Sequence, residues 1–144
     1  MAIYAAVVSR LVNEDNTFGG RPTPFKKVFL VDAPTRDANV LADENNLDRP
    51  FTDAVREGLR SALTDLPPLQ FIHNANEGRS TYRGLPLDDG VIITLGPILG
   101  AGEQVRVPNG LWCGGTCGQW LTYRVEHSND GWRVNGTDGA VAIS

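Results

Sequence analysis

Four side chains in this sequence are of the types that act as nucleophiles, metal ligands or general bases. They are the only two cysteines, Cys113 and Cys117, and the only two histidines, His73 and His127. A zinc site requires four such ligands, usually in local pairs, and a cysteine nucleophile requires a nearby base and positive charge. Both histidines stand alone in polar surroundings. We therefore expect no metal site and no cofactor, and we predict no catalytic residue from the sequence.

The two cysteines are better explained as a disulfide. A straight strand would hold the Cα atoms of Cys113 and Cys117 ~13 Å apart, whereas a disulfide tolerates only ~4.4 to 6.8 Å. Gly114 and Gly115 lie between them and permit the tight turn that bonding requires. A redox-active cysteine pair normally lies at the start of a helix, and these two glycines disfavour a helix at this position. The spacing predicts an oxidised loop that staples two neighbouring strands in an oxidising compartment.

Aromatic residues beside this loop could contribute to a ligand pocket. Trp112 and Trp120 flank the cysteines, and aromatic side chains near a strand end can form the floor of a binding site. Arg124, on the strand predicted over 120–126, and His127, just after that strand, complete our set of possible ligand-binding residues. Trp132, by contrast, is expected to fill the core.

The C-terminal third has the pattern of a β-meander. Leu121, Tyr123 and Val125 alternate with polar residues, which is typical of a strand with one buried face. A polar turn ending in Gly131 predicts a hairpin. Strands are predicted over 91–95, 104–107, 120–126, 132–134 and 140–143.

The N-terminal half predicts two helices and two strands. Apolar residues over 3–12 repeat on one helical face, and 27–31 is a short apolar strand. A second helix should begin after the cap Thr52 and carry an apolar stripe as far as Leu66, where two prolines end it. A strand over 69–72 follows. The fold class is therefore α+β, with two helices packed on a twisted antiparallel sheet.

The C-terminal motifs also resemble a known group of proteins. The residues that carry this resemblance are Leu111-Trp112-Cys113-Gly114-Gly115-Thr116-Cys117-Gly118-Gln119-Trp120-Leu121-Thr122-Tyr123 and Gly131-Trp132-Arg133-Val134. The C-terminal third resembles uncharacterised bacterial exported and lipoprotein-like proteins, in which one strand enters a Cys-Gly-x-x-Cys-Gly loop, a second leaves it and a Gly-x-Trp-like hairpin follows. The residues 3–7 look like the opening helix of that family. The resemblance covers about a third of the chain and implies an extracytoplasmic α+β domain of unknown role.

Length and composition limit the class of protein. The 144 residues correspond to a single domain, 1–144, and Leu, Ile, Val and Phe make up roughly a quarter of them, enough for a core. The net charge of −4 offers no basic stripe, so we expect no nucleic-acid partner. No apolar run approaches the ~18 residues of a membrane span, so we also expect no transmembrane segment.

Two hypotheses for function follow. The first is a non-catalytic binding or interaction module of the cell envelope or the secreted space, whose ligand is an unknown protein or small molecule. The second is a small enzyme, a hydrolase or a thiol-redox protein, with a site near Cys113, Cys117 and His127. The first residues carry no secretory signal, which leaves two alternatives: a cytoplasmic protein, or a mature exported form with an added Met1.

Overall fold

The computed structural model describes residues 2–16, 24–36, 45, 47–80, 85–115 and 117–143. In this part of the chain two α-helices accompany one seven-stranded sheet. The helices are α1 (Ala2–Asn13) and α2 (Asp53–Ala62). The strands are β1 (Lys27–Val31), β2 (Leu69–Ile72), β3 (Gly90–Leu95), β4 (Gln104–Gly114), β5 (Cys117–Ser128), β6 (Gly131–Thr137) and β7 (Ala142–Ile143). The α+β class is confirmed.

The sheet is mostly antiparallel but mixed, with the order β2-β1-β3-β4-β5-β6, and β7 paired to β5. From β3 to β6 it is the predicted meander, in which each strand pairs antiparallel with the next. Strand β1 instead pairs parallel with both β2 and β3. The expectation of a wholly antiparallel sheet is therefore corrected at this end. Helix α2 connects β1 to β2, because parallel neighbours cannot be joined by a hairpin.

Strands β4 and β5 are longer than the sequence predicted. Their register runs from Gln104 opposite Glu126 to Gly114 opposite Cys117. The two strands thus form one long hairpin with both cysteines at its tip. The final strand is shorter than predicted and contains only Ala142 and Ile143.

Both helices pack on one face of the sheet, which we call the inner face. Val7, Val8, Leu11 and Val12 of α1 are fully buried in a core shared with β1, β3, β4 and β5. The hydroxyl of Tyr4 donates to the carbonyl of Gly96, 2.9 Å away, just beyond the end of β3. Helix α1 is therefore fixed against the sheet by apolar burial and by a polar anchor.

Helix α2 begins as predicted and ends earlier. The Thr52 hydroxyl accepts a hydrogen bond from the Val55 N–H at 3.2 Å, which caps the first turn. The helix ends at Ala62, where the φ of −112° at Leu63 leaves the helical range. Leu63 and Leu66 are nevertheless buried, as the apolar stripe requires. Ala62, the last residue of the helix, is exposed.

The opposite, outer face of the sheet carries a smaller core. Phe29, Val31, Ile72 and Ile92 are buried there, with Trp112 packed against them. The segment that connects β2 to β3 contributes Ala75 to this cluster. Strands β1 and β3 are therefore buried on both faces, which explains their nearly continuous apolar sequences.

Candidate functional site

The two cysteines lie together at the tip of the long hairpin. Cys113 is near the end of β4 and Cys117 begins β5, with their Cα atoms 5.0 Å apart and their sulfurs at bonding distance. Gly114 has a φ of 147°, a conformation that residues with a side chain rarely adopt. The predicted pairing of Cys113 with Cys117 is confirmed at the level of this distance.

His127 lies near the other end of β5, ten residues after Cys117. An extended strand rises ~3.3 Å per residue, which places the two residues ~33 Å apart. The exposed ring of His127 packs on Trp132, with the ring centroids 5.0 Å apart. The histidine cannot act as a base toward the cysteines from this position, so the structure does not assemble the thiol site considered above. His73 lies elsewhere, directly after β2.

Three of the four possible ligand-binding residues share the outer face. Side chains alternate along a strand, and Leu121, Tyr123 and Val125 of β5 face the inner core. Trp120 and Arg124 therefore face outward. Trp112 also faces outward, because it packs against the outer cluster. His127 has the opposite parity and does not belong to this group.

The two tryptophans of this face are half-buried and make different contacts. The guanidinium of Arg79 lies 4.9 Å from the centre of the Trp112 ring. Trp120 lies across Gly110, where an added Cβ would be only 2.6 Å from its Cδ1 atom. The same Cβ would be 2.8 Å from the Thr94 hydroxyl, a buried group without a hydrogen-bond partner among the described residues. Both indole rings thus pack against other residues of the protein.

Arg124 has a partner that the sequence analysis missed. Arg106 on β4 lies directly opposite it in the strand register. Arg106 exchanges both of its backbone hydrogen bonds with Leu99, at 2.8 Å each. Its pair with Arg124 is therefore the non-hydrogen-bonded type, in which opposing side chains come closest. The alternation of Arg106 with the buried Val105 and Val107 is the sequence signal that places it on the outer face.

We call these two residues the arginine pair. Like charges directly opposite each other on a sheet destabilise it. One carboxylate partly compensates: Asp138 Oδ2 lies 3.4 Å from Arg106 Nη1, with both side chains about half exposed. Within the described part of the chain, no carboxylate forms an ion pair with Arg124. The arginine pair therefore carries two positive charges and, in this part of the chain, one ion-paired carboxylate.

The local backbone positions Arg124 and Asp138. Opposite Arg124 the register between β5 and β6 shifts, so that Asn135 is an extra residue in β6 and forms a β-bulge. A Cβ added to Gly136 would be 2.7 Å from Arg124 Nη2, so the guanidinium occupies the space that a side chain would fill. The Asp138 N–H donates to the Thr122 carbonyl at 2.9 Å, which holds the carboxylate beside β5.

A pocket of about 370 Å³ opens at the arginine pair. Its volume falls within the range of small-molecule sites. The lining residues are Leu99, Gly100, Gln104, Val105, Arg106, Arg124 and Asp138. The pocket thus combines two guanidinium groups, one carboxylate and some apolar surface.

A second polar pocket, of about 300 Å³, lies at the carboxyl ends of β1 and β2 and contains Asp32, Asp48 and His73. Both carboxylate oxygens of Asp32 accept from Arg56, at 2.8 and 2.7 Å. This bidentate pair joins β1 to α2 and engages both oxygens of the carboxylate. We therefore regard the arginine pair as the better candidate site.

Comparisons with protein-family models, with curated proteins and with solved structures find no match to this chain. No helix in the described ranges is both long and apolar enough to cross a membrane. Across the same ranges, no group of three or more His, Cys, Asp and Glu side chains is placed to hold a metal ion.

Proposed function

We propose that this protein is a non-catalytic binding module that holds a small anionic ligand at the arginine pair. The supporting observation is the direct opposition of Arg106 and Arg124, of which Arg106 alone forms an ion pair, with Asp138, in the described part of the chain. A carboxylate or phosphate group between the guanidiniums would supply the second negative charge. Arginine suits this role because its planar guanidinium can form two parallel hydrogen bonds to either anion.

The composition of the pocket favours binding over chemistry. Arginine remains protonated at physiological pH and does not exchange protons with a substrate. The ligand therefore needs an anionic group for the arginines and, beside it, a small apolar part for Leu99 and Val105. Asp138 disfavours a second anionic group on its side of the pocket.

We further propose an extracytoplasmic location, in the cell envelope or the secreted space. The support is the disulfide-distance pair of Cys113 and Cys117, because disulfides persist mainly in oxidising compartments. The resemblance to exported bacterial proteins points in the same direction. The enzyme hypothesis has no comparable support, since the two sulfurs contact each other and His127 is distant.

Thermal unfolding with two simple anions tests the proposed site. Inorganic phosphate and succinate should each raise the melting temperature, because a ligand that binds only the folded state stabilises it. Sodium chloride at the same ionic strength should not. Arg124→Gln should abolish the effect, whereas Arg133→Gln, which removes the same charge from the exposed neighbouring strand, should retain it.

Arg124→Gln offers a second readout without any ligand. Since it removes a like-charge opposition, we expect it to stabilise the free protein slightly, by up to ~1 kcal/mol. Equal responses of the wild type and Arg124→Gln to both anions would contradict the proposed site. So would anion stabilisation that chloride reproduces at equal ionic strength.

A further inference from the structure

Strand β6 is the outer strand of the meander and pairs with β5 on one side only. Its other side borders a groove of about 630 Å³ that separates it from α1, and we call this the edge groove. The lining residues are Ala6, Ser9, Arg10, Glu14, Trp132, Arg133, Val134 and Asn135. The groove is thus bounded by a helix and by the free edge of a strand.

The register identifies which backbone groups of β6 point into the groove. The His127 N–H donates to the Glu103 carbonyl at 2.7 Å, on the side of β5 away from β6. His127 and its partner Trp132 therefore form a non-hydrogen-bonded pair, and alternation makes the pair of Val125 with Val134 the same type. The N–H and C=O groups of Trp132 and Val134 consequently face the free edge. No hydrogen bond to these four groups is seen among the described residues.

We propose that β6 accepts an extended polypeptide segment of a partner protein as an additional strand, with an acidic residue opposite Arg133. This inference does not depend on the arginine pair. Two donors and two acceptors spaced two residues apart match the backbone of an extended chain, as in other cases of strand addition. The residues on either side of the acidic one would direct their side chains into the groove beside Trp132 and Val134.

Charge distinguishes such a partner from a second copy of this chain. If β6 paired with itself about a two-fold axis, using Trp132 and Val134 of both copies, the two Arg133 residues would lie directly opposite each other. Such a like-charge pair is destabilising. Arg133 is exposed. Glu126 lies opposite it on β5, but the carboxylate of Glu126 accepts a hydrogen bond from Asn135 at 2.8 Å, and no ion pair with Arg133 is seen among the described residues. A carboxylate at the opposing position gives a favourable pair instead.

An NMR titration of the ¹⁵N-labelled protein tests this proposal. The probe is the capped peptide Ser-Thr-Val-Glu-Val-Thr-Ser, and the comparison peptide carries Lys in place of Glu. We expect the acidic peptide to shift the amide signals of Trp132 and Val134 and to slow their hydrogen exchange. Its affinity should exceed that of the Lys peptide by about fivefold or more, the ratio expected for an opposed charge pair.

Arg133→Glu should reverse the preference between the two peptides. The matched control is Arg49→Glu, which makes the same charge change at an exposed position between β1 and α2 and should leave the preference unchanged. Equal binding of both peptides, or no shift at Trp132 and Val134 with either, would overturn the proposal. Concentration-dependent protection of these amides without peptide would also overturn it and would identify a second copy as the occupant.

Discussion

The hydroxyl of Tyr123 donates to Asp15 Oδ2 over 2.6 Å, a contact between residues 108 positions apart in the sequence. Asp15 follows α1 and also accepts from Arg10 Nε at 2.9 Å. Tyr123 is 1% exposed, at the centre of β5. The bond therefore connects the end of the first helix to the middle of the sheet.

Replacing Tyr123 by Phe should destabilise the protein by about 1.5 to 3 kcal/mol, because the lost hydrogen bond has a charged acceptor and such bonds contribute more than neutral ones. Tyr4→Phe is the matched control, since it removes a bond to the neutral carbonyl of Gly96. That loss should cost only about 1 kcal/mol. Urea unfolding measures both values. An equal or smaller loss for Tyr123→Phe would contradict this ranking.

Stability should fall at alkaline pH because of Tyr4. Burial of its hydroxyl, together with the negative charge of Asp48, raises the pKa of Tyr4 to about 12, whereas an unfolded tyrosine titrates near pH 10. The folded state thus holds the proton more tightly. Its stabilising contribution is complete below pH 10 and is lost as the pH rises from 10 to about 12. The loss is at most about 1.4 kcal/mol for each pH unit.

Unfolding free energies at pH 9, 10 and 11 would measure this loss. Tyr4→Phe should show a smaller decline than the wild type, and the difference is the part due to Tyr4. Burial and the hydrogen bond to Asp15 also raise the pKa of Tyr123, so some alkaline decline should remain in this variant. Parallel curves for wild type and variant would exclude the assigned role of Tyr4.

The disulfide should make a modest contribution to stability. It closes a short loop, with a sequence separation of 4. Closing so short a loop raises the free energy of the unfolded chain by only about 2 kcal/mol, through lost conformational entropy. Cys113→Ser combined with Cys117→Ser should lower stability by that amount or less and preserve the far-ultraviolet circular dichroism spectrum. Protein purified without reductant should show no reactive thiol when denatured, and two after reduction. Two thiols before reduction would argue against the bond.

Gly110→Ala should disturb the outer face. The new Cβ would lie 2.6 Å from Trp120 Cδ1 and 2.8 Å from the Thr94 hydroxyl, so the indole must move. We expect a loss of about 1 to 3 kcal/mol from this overpacking and a red shift of tryptophan emission. Gly115→Ala is the control, since its Cβ would meet no described atom within 4 Å. Similar stabilities of the two variants would refute the close packing of Trp120 on Gly110.

The sequence predicted those elements whose pattern is local. Alternation at Leu121, Tyr123 and Val125 identified the buried face of β5, and the Thr52 cap located the start of α2. The end of α2 was wrong because Leu63 and Leu66 reach the core from a turn after the helix as well as they would from within it. An apolar stripe predicts which side chains are buried but not the backbone conformation that buries them.

Strand pairing was less accessible from the sequence. The apolar run of β1 fits a strand buried on both faces, yet nothing local specifies that β1 lies between β2 and β3 and runs parallel to both. The arginine pair presents the same difficulty. Arg124 was named from its position, but Arg106 becomes its partner only through the register of β4 with β5. Register depends on the whole hairpin and not on the residues around either arginine.

The position of α1 has a consequence for how the chain matures in the cell. Much of its apolar face packs against β4, β5 and β6, strands made from residues 104–137, near the opposite end of the chain. During synthesis that helix emerges long before these partners exist. The apolar face of α1 therefore stays partly exposed on the nascent chain until translation of β6 is complete. This exposure makes α1 a natural target for chaperones that bind exposed apolar segments.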